Sequence, residues 1–211
     1  MTGVRASCPN CGAQIEFRWA QAVQATCAYC QSILVRHDLD LTKVGTSTIV
    51  PLTPSPIQLG TEGRWNGRGF TVIGRLVYRW TGGGWSEWHC RFDDDTSAWL
   101  SDAQADYVLT RQVTPADRLP DIDALHPGLV VAHDRVHYRV TSVTRAAYVG
   151  TEGELPFAYQ PGPEVPFADA RSEDGGFATI DYSESPALLF VGEAVELRQL
   201  ELRNLREFEG W

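Results

Sequence analysis

Lysine is almost missing from this chain: Lys43 stands alone among 18 basic residues, the rest being Arg. That bias is given no functional weight, but the overall balance matters. A formal charge of -9 at pH 7 repels nucleic-acid phosphate and anionic lipid, so nucleic acid is a disfavoured partner. Long apolar runs are absent too. The longest, Ala187 to Val191, is far short of the roughly 20 residues a spanning helix needs, and the first residues carry no apolar leader core. A soluble, cytoplasmic protein without membrane insertion is expected. Catalytic signatures are equally scarce. Gly82-Gly83-Gly84 has no Lys-Ser/Thr after it, Asp93-Asp94-Asp95 lacks the further ligands and Gly of a calcium loop, and no triad, dinucleotide fingerprint or metalloprotease motif occurs. The expectation is a non-enzymatic protein.

The five cysteines in such a compartment read as thiols or metal ligands, not disulfides. Four of them form the strongest local signal. Cys8-Pro9-Asn10-Cys11 and Cys27-Ala28-Tyr29-Cys30 are two C-x-x-C pairs with fifteen residues between them, a spacing suited to a four-thiolate zinc site. Two intervening residues let the backbone turn so that both sulfurs meet one ion. Gly12 suits the first knuckle, where a positive φ relieves crowding, and Gln31 occupies the corresponding place in the second. Short alternating stretches, Ala13 to Phe17 and Ser32 to Arg36, complete a zinc ribbon over residues 1–40. Four thiolates and a divalent ion leave two local negative charges, which Arg5, Arg18, Arg36 and Lys43 barely offset, so protein is the expected contact. A redox dithiol is the rival reading of one pair. Two correctly spaced pairs favour metal.

Residues 41–58, rich in Thr, Ser and Pro, read as a linker that donates an edge strand through Ser47 to Val50. His37-Asp38 adds nothing to a site that already has four sulfurs. A first β unit then spans 59–125. Phe70, Val72, Leu76, Tyr78 and Trp80 alternate with polar residues, Thr81 to Gly84 turns the chain, and Trp88, Cys90 and Phe92 return it. Asp93 to Thr96 makes the next turn before Ser97 to Leu100. A second β unit, 126–211, begins at Pro127-Gly128. Its order of Gly, strand, short turn at His133-Asp134-Arg135 and returning strand repeats that of Gly60 to Arg75. A helical turn is expected at Pro115, and Val195 to Leu205 is expected as a strand with a bulge. The fold class is mainly β: a four-cysteine ribbon plus an antiparallel body of two small barrel- or sandwich-like units.

Among other constellations, Cys90 shares the register of Trp88 and Phe92 and reads as a small buried hydrophobe, its neighbour His89 notwithstanding. Trp85 and Trp65, in a segment that also holds Trp80, Trp88 and Trp99, are expected on an exposed partner surface. The alternative is a ligand or substrate pocket between the two units, using Glu152, Glu154 or His137.

Gly69 to Leu76 followed by Trp85-Ser86-Glu87-Trp88, then Trp99-Leu100-Ser101 and Glu152-Gly153-Glu154-Leu155-Pro156, resembles the bacterial family of unknown function numbered 4178. The resemblance covers roughly residues 57–205, and the cysteine pairs match the zinc ribbon that often precedes it; His89-Cys90 stands where a more aliphatic pair is usual. Such proteins have no assigned activity. Their genes tend to neighbour aminopropyltransferase-like enzymes and small membrane proteins of envelope stress, which implies an accessory or adaptor role in a polyamine-related or envelope-stress context.

Overall fold

The computed structural model describes residues 4–37, 40–47, 55–158 and 162–207. Among them antiparallel strands dominate, and helix is limited to 3-10 turns at Ile122–Ala124 and Leu197–Leu200. No helix among the described residues is long and apolar enough to cross a membrane.

The ribbon consists of β1 (Val4–Ser7) paired with β2 (Gln14–Phe17), and of β3 (Gln24–Thr26), β4 (Ser32–His37) and β5 (Asp40–Thr46) in a second sheet. The strand at 40–46 occupies the start of the expected linker. Leu41, Thr42, Val44 and Thr46 are strand formers, and the free edge of β4 gives them a ladder. Thr48 to Val50, Pro51, Pro54 and Asp38 lie outside the described residues.

The body continues with β6 (Glu62–Trp65), β7 (Arg68–Trp80), β8 (Gly83–Phe92), β9 (Ser97–Ala103) and β10 (Asp106–Val113). It then runs through β11 (Val130–His133), β12 (Val136–Leu155), β13 (Val165–Arg171), β14 (Gly176–Asp181) and β15 (Leu188–Val195). The pairing order β7-β8-β9-β10-β15-β14-β13-β12 returns to β7 through β12, closing a ring of strands. Closure removes the edges that an open meander would expose. The two expected β units are thus the two halves of one ring, joined by β10 to β15 and by β7 to β12.

The halves repeat each other in detail. Gly60 N–H donates to Val72 O and Val72 N–H to Thr61 O; Gly128 N–H donates to Val140 O and Val140 N–H to Leu129 O. The two-residue turns Asn66-Gly67 and Asp134-Arg135 both have positive φ, 49° and 77° against 48° and 69°. Each long strand then bulges one residue later, between Val72 and Gly74 and between Val140 and Ser142. The shift is a constant 68 positions, 72 to 140, and becomes 80 from β8 onward, where Phe92 N–H to Thr96 O matches Ser172 N–H to Gly176 O.

One face of each half packs on its own core: Phe70, Val72, Trp88, Cys90, Leu100 and Leu109 in the first, Tyr138, Val140, Ala168, Ala170, Ile180 and Leu189 in the second. The opposite faces meet in a shared cluster that includes Leu76, Tyr78, Trp99, Tyr148 and Phe190. Trp85 of β8 reaches Phe167 of β13 across the ring, so this shared face is the inner one. The expected strand over 195–205 stops at Val195 and becomes the 3-10 turn, because only a turn brings Leu200 into the first core beside Ile57 and Trp65. The turn expected at Pro115 lies further on, at Ile122–Ala124.

Candidate functional site

The four ribbon thiols converge. Their Sγ atoms all lie within 4.8 Å of one another, with Cys8 to Cys30 and Cys11 to Cys27 each at 3.7 Å. A tetrahedron with metal–sulfur bonds of about 2.3 Å has edges of about 3.8 Å, whereas a disulfide would bring the sulfurs to about 2.05 Å. The donor set therefore fits one ion.

Two equivalent knuckles build it. Gly12 N–H donates to Cys8 O and Cys8 N–H to Ala13 O; Gln31 N–H donates to Cys27 O and Cys27 N–H to Ser32 O. Gly12 has φ 75° and Gln31 takes the same left-handed region at 58°. Ser32, from its hydroxyl and its backbone, holds Cys30 down at about 5. At Cys11 the Ala13 N–H pulls downward, but burial and the company of Cys30, Cys8 and Cys27 push the thiol up to about 12. Four sulfurs this close cannot all ionise without a cation among them.

The ribbon is fastened to the ring. β3 pairs with the end of β12, Ala25 opposite Glu154 and Gln24 opposite Leu155. The Glu154 carboxylate accepts the backbone N–H groups of Arg18 at 2.8 Å and Trp19 at 3.0 Å. Ser47 Oγ donates to Thr151 O at 2.9 Å.

The remaining sequence-expected residues disperse. Trp65 is buried at 8% exposure in the first core, its indole N–H on Glu193 Oε1 at 2.7 Å, so it is no partner surface. Trp85 is half-buried on the inner face, stacked on Tyr78. Alternation identified its register, but the second half that covers it is far away in sequence. Glu152 pairs with the buried Arg75 at 3.2 Å, Glu154 clasps the ribbon, and His137 is exposed on β12, so these three form no common pocket. Cys90 is fully buried, and burial pushes its thiol well above the usual range, as its register indicates.

Sequence reasoning missed the inner-face carboxylates Glu87, Asp169 and Asp181. Burial, with Asp169 and Asp181 adding to it, pushes Glu87 up to about 8 against hydrogen bonds from Ser101 and Trp85. Burial likewise raises Asp169 and Asp181. Their alternation with apolar residues was legible, but solvated strand faces look the same.

Fold and site define a two-part protein: a four-cysteine β ribbon able to hold a metal ion, fastened to a duplicated antiparallel β ring. Residues 58–197 match the family described as domain of unknown function (DUF4178), and the chain belongs to that family. The matched span is the ring. No curated protein and no solved structure matches the chain.

Proposed function

We propose that this protein is a non-enzymatic, zinc-bound scaffold that contacts another protein through its ribbon. The observation that carries this reading is the closed set of four sulfurs at tetrahedral spacing. All-sulfur tetrahedral sites suit zinc and leave no position for substrate, which is the structural type of site. Such an ion fixes the two knuckles against the small ribbon core of Ile15, Phe17, Trp19 and Leu34, in which Cys8 and Cys27 take part. On the second knuckle Tyr29 stands 80% exposed, an aromatic anchor of the kind protein partners use. The negative charge of the chain favours protein over nucleic acid as that partner.

The test is metal analysis of the purified protein together with affinity capture by wild type, Tyr29→Ala and Cys27→Ser/Cys30→Ser. One zinc per chain and loss of a defined partner in both variants are expected. Variants that keep every partner of the wild type would overturn the reading.

A further inference from the structure

The internal repeat separates what packing demands from what it does not. Equivalent positions of the two cores are apolar in both halves: Trp88 and Ala168, Cys90 and Ala170, Leu100 and Ile180, Leu109 and Leu189. The inner positions beside them are not. There Glu87 matches Phe167, His89 matches Asp169, and Ser101 matches Asp181. A face buried only for stability would be apolar in both halves.

The inner face is instead rich in acceptors. Phe167, the cross-strand partner of Asp181 and two residues before Asp169, meets Trp85 across the ring, and Trp85 is bonded to Glu87; among the described residues none of the three carboxylates is ion-paired. Their donors are neutral: Trp85 Nε1 at 2.8 Å and Ser101 to Glu87, Thr179 and Ser142 hydroxyls to Asp169 at 2.9 and 3.2 Å, and Ser183, by its N–H at 2.7 Å and its hydroxyl, to Asp181. A second, separate observation lies along the same face. His89 is wholly buried, and its Nδ1 sits 2.9 Å from Glu154 O. A carbonyl only accepts, so Nδ1 carries the proton and Nε2 is a bare acceptor; it has no partner. Thr151, the cross-strand neighbour of Leu76, which is itself opposite Glu87, is also wholly buried with Oγ1 unpartnered. Orphaned buried polar atoms of this kind call for a missing partner.

The chemistry of that partner follows from the lining: the bare His89 Nε2 asks for a hydrogen-bond donor, and three carboxylates with neutral donors only favour positive charge. These acceptors are also too spread for a metal, because among the described residues only the four cysteines bring three or more ligand atoms within 4.8 Å of one another. Aromatic rings stand beside them: Trp85 is stacked on Tyr78 with centroids 5.0 Å apart, and Phe167 meets Trp85 edge-on at 5.5 Å. Carboxylates with aromatic faces make a recognition surface for an organic cation.

We propose that the inner face between the two halves binds an organic ammonium ion, with Glu87, Asp169 and Asp181 as its anionic contacts and Trp85, Tyr78 and Phe167 as its aromatic wall. The raised Glu87 fits this role, since a bound cation offsets the burial that keeps its proton on. This site is separate from the ribbon, and either reading can fail without the other.

The experiment is calorimetric titration of the full-length, metal-loaded protein with butylammonium chloride, with magnesium chloride, sodium butyrate and butanol as parallel probes. Saturable binding of butylammonium alone is expected, weakened about tenfold or more in Glu87→Gln and in Asp181→Asn and unchanged in Asp106→Asn. Circular dichroism and thermal unfolding of each variant report whether it folds. A readout that needs no variant is a shift of the His89 imidazole ¹⁵N resonances on adding butylammonium. Absence of saturable binding, equal binding of butanol, saturation by magnesium instead, or wild-type affinity in folded Glu87→Gln and Asp181→Asn would each overturn the proposal.

Discussion

Glu154 and Trp19 are locked together where the ribbon meets the ring. The carboxylate, on β12, accepts the Trp19 backbone N–H at 3.0 Å, while the Trp19 indole donates to Asp95 O at 3.1 Å and its ring meets His89 edge-on at 5.0 Å. Arg18 N–H completes the clasp at 2.8 Å. A side chain that invites a catalytic reading from sequence is thus structural. Glu154→Ala leaves two N–H groups without their acceptor and is expected to cost about 2–4 kcal/mol, read from urea unfolding. A loss below about 0.5 kcal/mol would show that the clasp does not hold.

Removing the ion tests the ribbon's dependence on it. With a chelator present, the sulfur pairs at 3.7 Å repel on ionisation, and the small cluster of Ile15, Phe17, Trp19 and Leu34 loses the fixed Cys8 and Cys27 that complete it. Hydrogen exchange should accelerate through β1 to β5 while β9 and β10, deep in the ring, stay protected. Equal protection of the ribbon with and without metal is the contrary result.

Gln31 holds a left-handed conformation at φ 58°, a region that costs a side-chain-bearing residue about 1–2 kcal/mol. Gln31→Gly is expected to raise stability by about 0.5–1 kcal/mol after its own entropic cost is counted. A fall in the melting temperature of the metal-loaded protein would contradict this.

The seams of the ring need glycine. A Cβ on Gly74 would sit 2.0 Å from Glu154 O at the β7–β12 seam, and one on Gly192 would sit 1.9 Å from Leu109 O at the β10–β15 seam. Backbone atoms on both sides cannot yield cheaply. Gly74→Ala or Gly192→Ala should cost about 3–5 kcal/mol, whereas Gly67→Ala, with open space around it, loses only about 1 kcal/mol to its positive φ. Similar midpoints for all three in denaturant would refute the seam argument.

Glu87 should impose a pH slope. Held up to about 8 chiefly by burial, it keeps a proton in the folded chain that the unfolded chain has already released. The folded state therefore binds more protons between the ordinary carboxylate range and pH 8. Stability from this group is greatest below that window and falls as pH rises through it. Glu87→Gln removes the slope and, with partial solvent access screening the charge, gains about 2 kcal/mol near pH 8. Parallel pH profiles for the two proteins would rule this out.

The repeat explains how far sequence reading reaches. Thr81 to Gly84 and His133-Asp134-Arg135 announce their hairpins because turn chemistry is local, and the cysteine pairs announce a shared ion because two intervening residues suffice to aim both sulfurs. Trp65 and Trp85 mislead for the opposite reason. Alternation puts Trp85 on the face opposite Trp88, and in a single sheet that face would meet solvent. Here the ring is covered on both.

What the amino-acid order determined by itself is the set of short-range decisions: strands, turns, knuckles, and which residues share a register. Only the tertiary structure decided that β12 returns to β7, that the halves close on each other, and that Glu87 faces Asp169 and Asp181. Such contacts join residues roughly seventy to ninety-five positions apart, and they depend on ring closure, which no local stretch of chain encodes.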